Sequence, residues 1–141
     1  MTYLHSRKIL LAALLLGAAG SATQSVAHHA FAAEFDSAKP VAIQGVVTKA
    51  RFVNPHSWIY LDVKNKDGSV TSWGFEFGTP SSLRTNGLSK DDVRAGTPIR
   101  VAGYRAKNGG PFGYAAIITL ADGRKVQTGS APDAPTAPAR R

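Results

Sequence analysis

From Val41 onward, apolar residues recur every second position, the pattern of strands that bury one face. Val41, Ile43, Gly45 and Val47 share one parity and define a first strand, with a glycine where that strand can bend. The phase then slips. Phe52, the next large apolar residue, lies on the other parity, which predicts a bulge near Lys49 to Arg51. Ile59, Leu61 and Val63 give one face of a second strand over Ser57 to Lys64, and Trp73, Phe75 and Phe77 give one face of a third over Val70 to Phe77. Asn65 to Ser69 is the turn between them, and Gly68 suits the left-handed position of a three-residue loop. A two-residue Asp67-Gly68 loop would set Ile59 against Glu76. A Lys66 to Gly68 loop sets Ile59 against Phe75, Leu61 against Trp73, Trp58 against Glu76 and Tyr60 against Gly74. Register follows the buried face, so the longer loop is expected.

After Phe77 the period changes. Thr79-Pro80-Ser81-Ser82 predicts a helix start with Thr79 as N-cap, and Asn86-Gly87 ends the helix. Ser89 to Asp92 starts a second short turn, with its aspartates near the amino end. A fourth strand follows at Ile99 to Gly103 and a fifth at Tyr114 to Leu120. The Asp122-Gly123 turn then leads to a short strand at Lys125 to Gln127. Three strands, a helix and two more strands is the order of a mainly β, five-stranded barrel of the oligonucleotide/oligosaccharide-binding (OB) type, in which a long bent first strand serves both sheets. A small β-sandwich is the alternative, and it leaves the helix unexplained. The expected organisation is a leader over 1–27, a lead-in of little regular pattern over 28–39, the barrel over 40–128 and a disordered Pro/Ala-rich tail over 129–141.

The leader decides what the mature chain is. Arg7 and Lys8 precede an apolar run from Ile9 to Ala19, and Ser25-Val26-Ala27 supplies a small-x-small cleavage pattern, so Met1 to Ala27 reads as a secretory signal peptide. About eleven apolar residues fall short of the roughly 20 that span a bilayer, so no transmembrane segment is expected after cleavage. A cut after Ala22 is the rival. Cleavage at Ala27 makes His28 the new amino terminus and places the product in the periplasm or outside the cell. With no cysteine, the chain has neither disulfides nor thiolate ligands. Its net charge of +8, which loses two units with Arg7 and Lys8, favours anionic partners. For an exported protein an anionic envelope polymer, or another envelope protein, ranks ahead of nucleic acid.

His28-His29-Ala30-Phe31, Gly45-x-Val47, Asn54-Pro55-His56-x-Trp58-x-Tyr60, Trp73-x-Phe75-Glu76 and Asp122-Gly123-Arg124 together resemble a family of small exported bacterial proteins catalogued as a domain of unknown function. The resemblance covers nearly all of His28 to Ser130. It implies export and one β-rich domain, and the family has no established activity to carry over. This chain departs from the pattern at Phe52, where tryptophan is expected, and at Ala30, where serine is more usual.

Three of the chain's four histidines follow the leader, which focuses the candidate chemistry. An amino-terminal histidine chelates Cu(II) through its α-amine and ring, and a second-position histidine adds amine, amide and ring donors, both suited to a square-planar nitrogen site. If the lead-in folds back over the barrel, His28, His29 and His56 form a metal set with Glu76 as outer ligand or orienter, copper being the cofactor such donors suit. A second possibility is a metal-free ligand face built from Trp58 and Tyr60, where such barrels stack bases or sugars, with Arg100 and Arg105 adding charge. A structural or interaction role is the third. No catalytic constellation is evident, since the chain lacks a cysteine nucleophile, a paired-carboxylate helix and a phosphate loop. Ser57 beside His56 is no triad, because neighbours on a strand face opposite ways.

Overall fold

The computed structural model describes residues 31–135, so the expected leader over 1–27, His28 and His29 lie outside the described residues. The first described element is a single helical turn, α1 (Phe31–Glu34), which runs directly into β1 (Phe35–Arg51). The remaining elements are β2 (Ser57–Lys64), β3 (Val70–Phe77), α2 (Pro80–Thr85), a 3-10 turn (Asp91–Val93), β4 (Pro98–Ala106), β5 (Phe112–Thr119) and β6 (Lys125–Gln127). The sheet runs β3-β2-β1-β4-β5-β6, and a parallel β3–β5 pairing closes five of these strands into a ring. With α2 between β3 and β4, this is the expected OB-like order.

Closure requires β1 to belong to both halves of the ring. Its first part pairs with β4, from Phe35 to Val46, and its last part pairs with β2, from Val46 to Arg51. A register shift between Val47 and Lys49 leaves Thr48 as the extra residue, one position before the predicted bulge. That bulge returns Ala50 and Phe52 to the inner face, as the parity change demanded. At Gly45 an added Cβ would lie 2.7 Å from Asp62 O, so the crossing of β1 over β2 needs glycine there.

The hairpin register of β2 and β3 matches the sequence reading at all four expected pairs, with Gly68 at φ 87° in the loop. Local capping also follows the sequence. Thr79 Oγ1 accepts from Ser82 N at 3.2 Å at the start of α2. Ser89 and Asp92 form a reciprocal capping box at the 3-10 turn, with Ser89 N donating to Asp92 Oδ2 at 2.8 Å and Asp92 N donating to Ser89 Oγ at 3.3 Å. Arg124 joins this turn to the β5–β6 loop, contacting Asp92 Oδ1 at 2.6 Å and Gly87 O at 3.2 Å.

Two expectations at the edges are corrected. The lead-in over 28–39 is regular from Phe31 onward: β1 begins at Phe35, six residues ahead of Val41, where the alternation starts. Residues 37–40 are exposed and so carry no hydrophobic signal. The tail expected to be disordered from 129 continues along the barrel to 135 through hydrogen bonds that composition does not encode.

The barrel interior holds Val47, Ile59, Leu61, Phe75, Phe77, Val101, Ala115 and Ile118, with Leu83, Leu88 and Val93 closing the α2 end. Gly103 and Gly113 let β4 and β5 approach: a Cβ at 103 would fall 1.8 Å from Tyr114 O, and one at 113 would fall 2.6 Å from Tyr104 O. Gly103→Ala is expected to cost about 3 kcal/mol, by forcing backbone apart in a packed wall. Gly110→Ala, whose Cβ meets only Asn108 Oδ1 at 3.4 Å, is expected to stay within about 0.5 kcal/mol of the parent. Urea midpoints of the two variants measure the difference.

Candidate functional site

The corner from Phe52 to Ser57 delivers His56 to the outer face of the barrel. Asn54–Pro55 is a cis peptide, and Ser57, fully buried, begins β2 with its N–H donating to Gly78 O at 3.2 Å. His56 Nδ1 is in direct contact with Glu76 Oε1. Glu76 is 7% exposed on β3, opposite Trp58 on β2 and level with Tyr114 on β5. The sequence placed Trp58 and Glu76 together. Only the β3–β5 pairing reveals Tyr114 as the third neighbour.

Around this pair the outer face is aromatic. Trp58 stacks on Phe112 with ring centroids 5.3 Å apart, and Phe112 stacks on Phe35 at 5.8 Å. Phe31 meets Tyr104 and Tyr114 edge-on at 5.3 and 5.2 Å. Tyr60 and Phe112 cover Gly74, where an added Cβ would lie 3.3 Å from the Phe112 ring and 3.4 Å from the Tyr60 ring. Phe31, Phe35, Tyr104 and Tyr114, with Ala106 and Ala116, make a second core outside the barrel, and Phe112 packs against it. Burial pushes the Tyr114 phenol above its ordinary pKa; hydrogen bonds from the Ala131 and Ser130 backbone oppose this, and the negative charges of Glu76 and Asp133 add to the rise.

The four residues of the metal-free ligand face do not form one surface. Trp58 and Tyr60 are half-buried in the aromatic layer. Arg105 is level with Gly113, on the inner face, where its guanidinium lies 5.4 Å from the Trp73 ring and its Nε donates to Gly110 O at 3.1 Å. Arg100 is exposed, facing Gln44 across β1 and β4. The structure gathers positive charge elsewhere. Lys49, Lys90 and Arg94 rim an open groove floored by Phe52 and Val93, with Lys90 Nζ 5.9 Å from the Phe52 ring. Sequence reading missed this groove because its cations come from β1 and from the segment around the 3-10 turn.

Of the four expected metal residues, His56 and Glu76 come together, while His28 and His29 lie outside the described residues. Phe31, the first described residue, rests its ring edge-on against Tyr114. Among the described residues no group of three or more His, Asp or Glu side chains is arranged to hold a metal ion.

The protein is thus a small OB-like barrel with a histidine–carboxylate pair set into a covered aromatic outer face. Residues 16–115 match the family of unknown function DUF6152, and the chain belongs to that family. No curated protein and no solved structure matches it. Among the described residues no helix is long and apolar enough to cross a membrane.

One titration can be read from the geometry. Asp133 accepts backbone hydrogen bonds from Ala32 and Phe31, which hold its carboxyl below the usual value of 3.8. A depressed carboxylate pKa contributes stability above the unfolded value and loses it as pH falls through the folded one. The Phe31 and Ala32 amide resonances should therefore shift together in an acid titration, with a common midpoint below 3.8.

Proposed function

We propose that this is an exported periplasmic metal-binding protein that holds copper through His28, His29 and His56. The observation that carries this reading is the contact between His56 Nδ1 and Glu76. Carboxylates that take the inner nitrogen of a ligating histidine fix its tautomer and raise its basicity, leaving Nε2 to face the metal. Glu76 is then the orienter, and an amino-terminal His28-His29 pair supplies amine, amide and imidazole nitrogens suited to Cu(II). The docking of Phe31 on Tyr114 supports the approach of that pair, because Tyr114 is level with Glu76. We prefer this to recognition of an anionic polymer by Trp58, Tyr60, Arg100 and Arg105, since those side chains are spread over three places.

Copper titration of protein beginning at a free His28 amine tests the proposal. Binding at one ion per chain is expected, with a loss of affinity when one residue is added before His28. His56→Ala should weaken binding, and Glu76→Gln should weaken it about tenfold, as loss of an orienting carboxylate does. Affinity indifferent to both the added residue and His56→Ala sinks the proposal.

A further inference from the structure

We infer that the groove between β1 and the 3-10 turn is a binding site for a small aromatic carboxylate, a ligand with a flat apolar body and one negative charge. The inference goes beyond the metal reading and uses none of its residues.

The bulge in β1 makes one wall. With Thr48 as the extra residue, Ala50 and Phe52 turn inward while Lys49 stays exposed beside them. The other wall is the segment from Lys90 to Ala95. Two backbone hydrogen bonds fasten the end of that segment to β1 at Val47: Gly96 N donates to Val47 O at 2.8 Å, and Val47 N donates to Thr97 O at 2.9 Å. The Ser89–Asp92 capping box holds the start of the segment, and Arg124 ties Asp92 to the β5–β6 loop. The walls are thus set without a ligand, as in most small-molecule sites. The groove has a volume of about 340 Å³, near the lower end of the roughly 300–1,000 Å³ that such sites occupy.

The floor is apolar and the rim is cationic. Buried Phe77 meets the half-buried Phe52 ring at 74° with centroids 5.8 Å apart, which fixes the plane of Phe52. Val93 extends the floor, and the short side chains of Ala50 and Ala95 leave it unobstructed. Neither carboxylate of the 3-10 turn lines the groove, and both are engaged by arginines: Asp91 Oδ1 accepts from Arg94 Nη2 at 2.7 Å and Asp92 Oδ1 from Arg124 Nη2 at 2.6 Å. Among the described residues Lys49 and Lys90 have no carboxylate partner, and Lys90 Nζ stands 5.9 Å from the Phe52 ring. A carboxylate that reaches Lys90 while its own ring lies on Phe52 combines charge attraction with ring stacking. A neutral ring gains the floor alone. A bare anion meets only exposed charges, each worth little in water.

Naphthalene-2-carboxylate, titrated into the metal-free full chain and followed by amide resonances, tests the site. Saturable shifts of the Ala50, Val93 and Ala95 amides are expected at one ligand per chain. Naphthalene-2-methanol should bind about tenfold more weakly, since it lacks the charge, and acetate should not produce these shifts. The K49Q/K90Q variant, changed only at exposed positions, should lose about tenfold in affinity for the carboxylate and none for the alcohol. Added salt should weaken the parent more than this variant. F52L keeps an apolar side chain against Phe77 and should weaken both naphthalene probes, while the Ile59 and Phe75 amides keep their exchange protection in every variant. The inference is overturned if the alcohol binds as tightly as the carboxylate, if K49Q/K90Q leaves affinity unchanged, or if the shifts centre on Trp58 and Phe112.

Discussion

The parallel contact between β3 and β5 is the constraint on which both faces of the molecule depend. It spans only Gly74 to Glu76 against Phe112 to Tyr114, yet it turns an open sheet into a ring. On the inside it sets Phe75 against Gly113, which has no side chain to obstruct the ring. On the outside it sets Glu76 level with Tyr114. Parallel strands cannot be joined by a hairpin and require a crossover. The path through α2, the 3-10 turn and β4 is that crossover, and Arg124 clamps its two turns to the β5–β6 loop. The short helix between the third and fourth strands is therefore a consequence of closure.

Closure also explains why so small a barrel has two apolar clusters. Once the interior is filled by Ile59, Leu61, Phe75 and Val101, the outer sides of β4 and β5 still carry Tyr104, Phe112 and Tyr114. These are covered by Phe31 and Phe35 from one end of the described chain and by Ala131 and Ala134 from the other. Phe31 rests on Tyr114, the residue level with Glu76, so the second core borders the strand pair that carries the His56–Glu76 contact. Trp58 and Tyr60 belong to this layer, Tyr60 and Phe112 supplying bulk over Gly74 that the glycine lacks.

Most of the barrel was legible because strand parity and turn chemistry are local. The β2–β3 register followed from asking which loop length kept Ile59 opposite Phe75, and α2 followed from Thr79, Pro80 and Gly87. The bulge in β1 was legible to within one residue, since a parity slip locates an insertion only between two buried positions. What stayed hidden depends on contacts across long separations. The exposed stretch from Ser37 to Pro40 shows no alternation, although it belongs to β1. The composition of residues 129–135 describes a solvated tail, whereas the Ala116 carbonyl, the Tyr114 phenol and the Phe31 and Ala32 amides give it a place. At the candidate site the Trp58–Glu76 neighbourhood came from register, whereas Arg105 was assigned to the wrong face because the strand-4 reading stopped at Gly103.

The contact between Asp133 and Phe31 joins residues 102 positions apart in a chain that has no cysteine. A disulfide across such a span would restrict the unfolded chain permanently. Two hydrogen bonds accepted by the Asp133 carboxylate from the Phe31 and Ala32 amides leave the unfolded chain unrestricted. A fastening of this kind, exposed and spanning a long separation, belongs to the low-stability end of native opening. Release of Asp133 from Phe31 and Ala32 would loosen the outer aromatic layer at the expense of its own packing, while leaving the strand pairings of the barrel untouched.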